Sequence, residues 1–400
     1  MTPTFTPRAA AAIAVAALTL HAAAARAQGS LSTQGYGYPS GELSTRALGT
    51  GGSVGEFDPA SPINPAALGS WGASPINSAI RQWWGRTAFT AQYDPEFRTV
   101  TAGGSTQNAT LTRFPLVAIA IPVRARLQMG LSAATLLDRT FSTSVPSTAT
   151  IGGETVTGTQ TIESRGAMED VRLGGAYNIG NALSLGLAGH LVTGQHRVVS
   201  GREFTDTTQF GTVSDSTAVD FTGLAFSAGA EWRIVRGFSI AGSYKKGGAL
   251  RAERNDTTLR KATVPDRVGV GVRLDRIPGA SFTASWANTK WTNMNGLGVS
   301  DLRISDGPEY AAGVEAVGPR LGPSALLFRF GGRHRTLPFG VGGADVHETA
   351  FAGGVSAPFT GGHAVLDLGL QHASRTADGG TAASAKERAW TLSVGLTVRP

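Results

Sequence analysis

The segment Trp390-Thr-Leu-Ser-Val-Gly-Leu-Thr-Val398 alternates without a break, with Trp390, Leu392, Val394, Leu396 and Val398 on one side and Thr391, Ser393, Gly395 and Thr397 on the other. A period of two is the mark of a strand with two unlike faces. The pattern recurs upstream. Leu366, Leu368 and Leu370 oppose Asp367, Gly369 and Gln371, and Leu183, Leu185, Leu187 and Leu191 oppose Ser184, Gly186, Ala188 and His190. Val268, Val270, Val272 and Leu274 oppose Gly269, Gly271 and Arg273. In all four segments charge is confined to the row opposite the apolar one. Periodicity alone does not say whether the apolar row faces lipid or a soluble core, so the decision rests on what joins the strands.

Six short connections alternate strictly with seven long ones. The short ones are Pro122–Arg124, Ile179–Asn181, Val235–Arg236, Asp275–Gly279, Gly318–Ser324 and Pro358–Gly362. The long ones are roughly Asp94–Thr110, Asp138–Ala167, Gln195–Thr217, Gly247–Val264, Lys290–Pro308, His334–Val346 and Ser374–Glu387. Thirteen connections join fourteen strands, and an even number returns the chain to its starting side, so both termini are expected at the short-turn rim. Tight turns on one rim and long loops on the other mark a bacterial outer-membrane barrel. Tyr177, Trp232, Tyr244, Trp286 and Trp390 lie within strands or near their ends, where an interfacial belt would place them. The expected fold is all-β, a transmembrane antiparallel β-barrel of about 14 strands.

The ends of the chain agree. Arg8 precedes an apolar run from Ala9 to Leu20, and Ala25-Arg26-Ala27 is a small-x-small cleavage site, so 1–27 reads as a signal peptide. That run is too short for a spanning helix, which needs about 20 apolar residues. The absence of cysteine from an exported chain excludes a disulfide framework. A closed barrel instead satisfies each backbone N–H and C=O by strand pairing. The formal charge of +7 falls to +5 when Arg8 and Arg26 leave, and no basic run or aromatic-basic interleaving points to nucleic acid.

Two strands read poorly. Leu111–Ile121 contains Pro115, which has no N–H to give to a ladder. In Ala125–Leu137 the alternation holds from Leu127 to Ala133 and loses phase at Leu136. Either the strand boundary is misplaced or the barrel wall carries a built-in defect.

Residues 28–84 carry no strand pattern and are rich in Gly, Pro and Ser, yet Phe57, Ile63, Leu68, Trp71, Ile76 and Ile80 give them apolar surface to pack. A barrel this wide must be filled by water or protein, so the segment is expected in the lumen as a plug. The resulting division is signal peptide 1–27, plug 28–84 and barrel 85–400.

Within this segment, Arg46-Ala-Leu-Gly49, the cluster Gly49–Gly55, Phe57-Asp-Pro-Ala60 and Asn64-Pro-Ala-Ala-Leu68 resemble the hatch of the FadL family of outer-membrane hydrophobic-compound transporters. Val264-Pro-Asp-Arg-Val-Gly-Val-Gly-Val-Arg-Leu274, with the strand leading to Lys290-Trp291, is similar to a proline–glycine strand of that family and its Trp-containing partner. Leu337-Pro-Phe339 to Glu348 and Glu387 to Pro400 resemble its C-terminal strands. One departure is the end itself, Val398-Arg399-Pro400, where an aromatic is usual.

The resemblance implies a monomeric barrel in the bacterial outer membrane, in contact with its lipid and occluded by a hatch with Asp58, Asn64, Pro65 and Ala66 in its motifs. Its cargo would be long-chain fatty acids or other apolar small molecules, without a cofactor. In that family a kinked third strand opens the wall sideways. Here that strand is Ala125–Leu137, and Gly130 is the expected pivot of a lateral opening. Arg273 and Arg329 lie on inward rows. They would either meet a cargo carboxylate in a mostly apolar pocket or pair with Glu231, Glu315 or Asp367 across the lumen. Two rivals remain: a non-transporting barrel that is a shuttle or anchor for secreted proteins, favoured by a solidly packed lumen, and a general porin, favoured by an open aqueous one.

No catalytic or metal site is expected. Gly51-Gly-Ser-Val-Gly55 matches a nucleophile elbow literally but lacks the strand before and helix after that the motif requires. His347-Glu348 opens a zincin pattern, and Phe351 stands where its second histidine belongs. His190 near Ser184, or His372 near Asp367, reads as polar lumen lining.

Overall fold

The computed structural model describes residues 31–33, 35–71, 87–102, 105–151, 154–206, 211–297, 303–321, 324–340, 343–359, 363–378 and 385–399. The signal peptide, with Ile76 and Ile80 of the expected plug, lies outside the described residues.

Sixteen strands follow one another: β1 (Ala88–Ala102), β2 (Ser105–Arg124), β3 (Leu127–Asp138), β4 (Phe141–Ile151), β5 (Glu154–Ile179), β6 (Leu183–Phe204), β7 (Val213–Val235) and β8 (Phe238–Arg254), then β9 (Thr257–Thr263), β10 (Asp266–Leu274), β11 (Ala280–Lys290), β12 (Gly307–Leu321), β13 (Ser324–Thr336), β14 (Asp345–Phe359), β15 (Ala364–Asp378) and β16 (Lys386–Val398). Fourteen of them close a ring, because β8 pairs with β10 and β16 pairs with β1, all antiparallel. The other two stand outside it, β4 paired to β5 and β9 to β8. The fold is the expected fourteen-stranded barrel.

Face assignment follows the alternation. Leu187, Leu368, Leu392, Val270 and the five aromatics of the expected belt are exposed on the outside, while Ser184, Gln371, Ser393 and Arg273 are buried inside. An exposed apolar belt on a closed sheet is stable in lipid, where the ring leaves no unpaired edge.

The short turns fall at or beside the expected stretches, except that Pro122–Arg124 is still strand β2 and the chain turns at Ala125-Arg126. The first four long connections differ, since most of their length is strand, whereas Lys290–Pro308 carries the 3-10 turn Trp291–Leu297 and His334–Val346 is strand only at its ends. β1 and β2 continue through the stretch assigned to the first loop, and β5 and β6 run 26 and 22 residues. These extensions are rich in Thr and Ser on both faces, so hydropathy does not alternate there. Backbone pairing and the strand preference of Thr carry them instead.

The N-terminal segment threads the lumen from one end to the other. Leu31 packs with Leu337, Ala344, Ala377 and Ala385 at the long-loop end. Trp71 packs with Ala88, Ala120 and Ala176 at the short-turn end, where β1 begins. The expectation for the termini therefore holds for the barrel strands, whose ends pair as Phe89 with Val398, but the described chain starts at the opposite end.

Candidate functional site

The lumen is the site, and its filling is built from local rules. Ser44 caps the short helix α1 (Thr45–Gly49) by accepting from Ala47 N–H at 3.2 Å. Its hydroxyl donates to Asp58 at 2.5 Å, and Asp58 also accepts from Ser61 N–H at 3.1 Å and Ser61 O–H at 2.7 Å. Asn64 caps the 3-10 turn Pro65–Ser70 by accepting from Ala66 N–H at 2.9 Å, and its amide donates to Glu56 O at 2.9 Å. Ala66 O accepts from Ser184 at 2.8 Å, and a Cβ at wall residue Gly186 would meet the Pro65 carbonyl carbon at 2.3 Å. The motif residues Asp58, Asn64, Pro65 and Ala66 thus shape the segment and seat it on the wall.

Ion pairs fasten it. Arg46 donates to both Glu315 oxygens at 2.9 and 2.7 Å. Arg267 reaches Glu56 at 2.9 Å. Of the two expected cargo contacts, Arg329 pairs with Glu315 at 2.8 Å and Asp367 at 2.9 Å. Arg273 pairs with Glu231 at 3.1 Å and Asp275 at 3.2 Å, with Phe57 4.5 Å beneath it. Both arginines rest on protein carboxylates of nearby wall segments rather than across the lumen, Glu315 being the direct register partner of Arg329.

A residue that the sequence does not single out organises the long-loop half. The Tyr38 ring is surrounded by the guanidinium groups of Arg375, Arg335, Arg113 and Arg98, at 4.5, 5.0, 5.6 and 5.9 Å from its centre. These come from four different strands. Tyr38 O–H donates to Glu348 at 2.9 Å. Arg375 joins Glu348 at 2.7 Å, Glu96 at 3.1 Å and Glu387 in a shorter contact.

Beside Tyr38 the wall has a seam. β2 and β3 pair from Arg124↔Leu127 up to Leu116↔Ala134 and then stop. The stop falls at Pro115, whose missing N–H was the first sequence irregularity. β3 continues alone against β5, with Leu136 bulged between Thr135 and Leu137 where the alternation lost phase. The wall defect is therefore real. Gly130, lower on the same strand, pairs with Ala120 on one side and Gly174 on the other. That glycine leaves room for Leu68, which a Cβ there would meet at 2.8 Å. Gly130 is a packing seat for Leu68 in this state of the wall.

Above the seam an apolar cluster fills the mouth: Leu136, Leu137, Met168, Phe221, Trp291 and Phe339 are among its buried members. Tyr36 packs edge-on against Phe221 and Phe339, at 6.3 and 5.8 Å between ring centres.

Asp170, His190 and Ser227 stand in relay order on β5, β6 and β7, with His190 Nδ1 2.8 Å from Asp170 and Nε2 2.8 Å from Ser227. The space beside Asp170, bounded by Pro62, Ile63 and Lys245, is about 20 Å³, room for no more than a water. The trio therefore reads as hydrogen-bonded lining. Ser53, of the literal elbow motif, bonds to Thr283 at 2.6 Å within the packed segment. Among the described residues no three His, Asp or Glu side chains are grouped to hold a metal.

Two further cavities measure about 60 Å³, around Tyr38, Glu42 and Glu309, and about 120 Å³, around Arg46, Trp71, Asp367 and Arg399. Both fall below the ~300–1,000 Å³ of an ordinary small-molecule pocket.

The sequence profile of the family described as BamG matches residues 10–264. The chain belongs to the BamG family. No curated protein matches the sequence. Solved structures similar to this BamG-family barrel include a FadL homologue of Pseudomonas aeruginosa, at 12% identity and TM-score 0.56, covering 90% of this chain and 99% of that one. The toluene transporter TodX of P. putida is similar at 12% identity and TM-score 0.54, covering 92% and 99%. The monoaromatic hydrocarbon channel CymD matches at 12% identity and TM-score 0.50, covering 84% and 97%. The FadL resemblance thus holds for the fold, whereas the sequence falls in the BamG family.

Proposed function

We propose that this BamG-family barrel lies in the outer membrane and admits apolar small molecules through its wall, with the segment from residue 28 to 84 as a hatch that keeps the lumen closed to water. The observation that carries this reading is the juxtaposition at the mouth. An apolar cluster containing Leu136 and Leu137 adjoins the one place where β3 leaves the β2 ladder. An apolar solute gains on entering such a cluster, and a break in the ladder is the cheapest place to part the wall. The barrel neighbours named for hydrocarbon transport share the fold and support the same direction. Fatty acids and monoaromatic hydrocarbons both fit an apolar route. On this reading the exit lies at the seam, above Gly130 on the same strand.

The test is uptake in a host bacterium lacking FadL-like barrels of its own, with matched surface amounts of this protein or none. A radiolabelled monoaromatic hydrocarbon and a long-chain fatty acid are compared separately. Faster initial uptake of either supports the reading and names the cargo class. Equal uptake of both overturns it.

The filled lumen specifically favours a second reading, a non-transporting barrel that serves as a shuttle or anchor for secreted proteins. It gains if the same uptake comparison shows no difference.

A further inference from the structure

We propose that residues 38–41 are a removable extra strand, a latch that completes the barrel wall at the β2–β3 seam, with Tyr38 as its bolt. Tyr38 and Asp138 exchange backbone hydrogen bonds in both directions at 2.9 Å, forming an antiparallel bridge. Gly41 N–H donates to Thr135 O at 2.8 Å. Thr135 and Asp138 are among the β3 residues that have no β2 partner, so the segment takes the place that β2 leaves empty up to and including Pro115. This is strand addition to a free edge, supplied by the chain itself.

The fit is tight enough to require glycine. A Cβ on Gly41 would lie 2.3 Å from Thr135 N and 2.6 Å from Pro115 O, which places Gly41 between the two strands it separates. Gly37, at φ 113°, would bring a Cβ within 2.4 Å of Asp138 O. Besides the latch, the ion pair from Arg113 of β2 to Asp138 of β3 crosses the seam.

The contrast with the rest of the segment argues for removal. Residues 44–70 bond to the wall through many side chains, whereas residues 38–41 add three backbone hydrogen bonds and one anchored ring. Withdrawing Tyr38 frees the edge of β3 and uncovers the apolar residues Leu136 and Leu137 beside it. Opening therefore needs no barrel strand to leave its ladder, only a short segment to leave the seam. As a gate for cargo, the latch rests on the transport reading; as a wall element it does not.

Hydrogen exchange followed by mass spectrometry tests the latch on the whole protein, in wild type and in Gly41→Val, Tyr38→Ala and Tyr38→Phe. Gly41→Val blocks docking by collision and Tyr38→Ala removes the bolt, so two unlike changes should act alike. Exchange over residues 134–138 should rise at least tenfold in both, with β13–β16 unchanged, and Tyr38→Phe should stay near wild type because the ring remains. Unchanged exchange over 134–138 in Gly41→Val, or exchange that rises equally around the barrel, overturns the latch. Uptake of the apolar probe is then read in the same variants. Faster exchange with severalfold faster uptake supports the gate, and faster exchange with uptake at the empty-host level keeps the latch while overturning the transport reading.

Discussion

Arg46 and Glu315 meet in a two-pronged ion pair at 2.9 and 2.7 Å, the first on the helix inside the lumen and the second on strand β12 of the wall. The same carboxylate holds Arg329 at 2.8 Å, so one glutamate ties the N-terminal segment to the wall and the wall to itself. A buried pair of this kind does not by itself make a protein more stable than an apolar contact would. Breaking it by removing one partner does destabilise, because charge is left buried and unmatched.

Glu315→Ala should therefore cost about 3–5 kcal/mol of hatch docking or barrel stability. The measurement is heat-modifiability on detergent gels together with limited trypsin cleavage. A lowered transition and new cleavage at Arg46 are expected, and an unchanged transition with Arg46 still protected would show that the pair holds nothing in place.

Lipid depth should decide which exposed leucines tolerate charge. Leu187 on β6 and Leu259 on β9 are both exposed, at 70% and 48%, but β9 lies outside the closed ring. Leu187→Arg should cost about 2–4 kcal/mol and impair assembly, whereas Leu259→Arg should assemble normally. Folded barrel recovered from membranes is the readout, and equal yields would contradict the placement of the belt.

Much of this architecture was legible in the chain, for identifiable reasons. Strands such as 183–191 and 390–398 declare themselves because lipid on one side and lumen on the other force a period of two. The long hairpins were read as loops because their Thr and Ser residues face water on both sides. The seam left two marks, Pro115 and the phase loss at Leu136, both with a backbone cause. At Gly130 the small residue makes room for Leu68, and a sequence does not distinguish room for a neighbour from freedom to bend. Tyr38 left no mark at all. Its role arises from arginines at 98, 113, 335 and 375, which only ring closure brings together.

Topology can be read with single cysteines, since the chain has none of its own. Thr258→Cys lies at the tip of a long hairpin and Arg276→Cys in a short turn. A membrane-impermeant maleimide should label the first on intact cells and the second only after the outer membrane is permeabilised. The reverse pattern would invert the barrel.

Gly369 shows how closely the N-terminal segment packs on the wall. A Cβ there would stand 3.5 Å from both Leu48 and Thr45, so the inward face at this height is packed against the segment. Gly369→Arg should expel part of the hatch rather than rest in water, and permit trypsin cleavage at Arg46 in a barrel that still resists heat. A variant with Arg46 as protected as in wild type would show that the hatch is not packed there.

The claim on which the rest depends is that the N-terminal segment fills the lumen, so that this barrel is closed to water and ions. Current across a planar lipid bilayer measures it directly, with the whole protein compared with a variant lacking Gly49–Leu68. The whole protein should show no steady open-pore current and the deletion should conduct. A steady porin-like current through the whole protein would contradict the account.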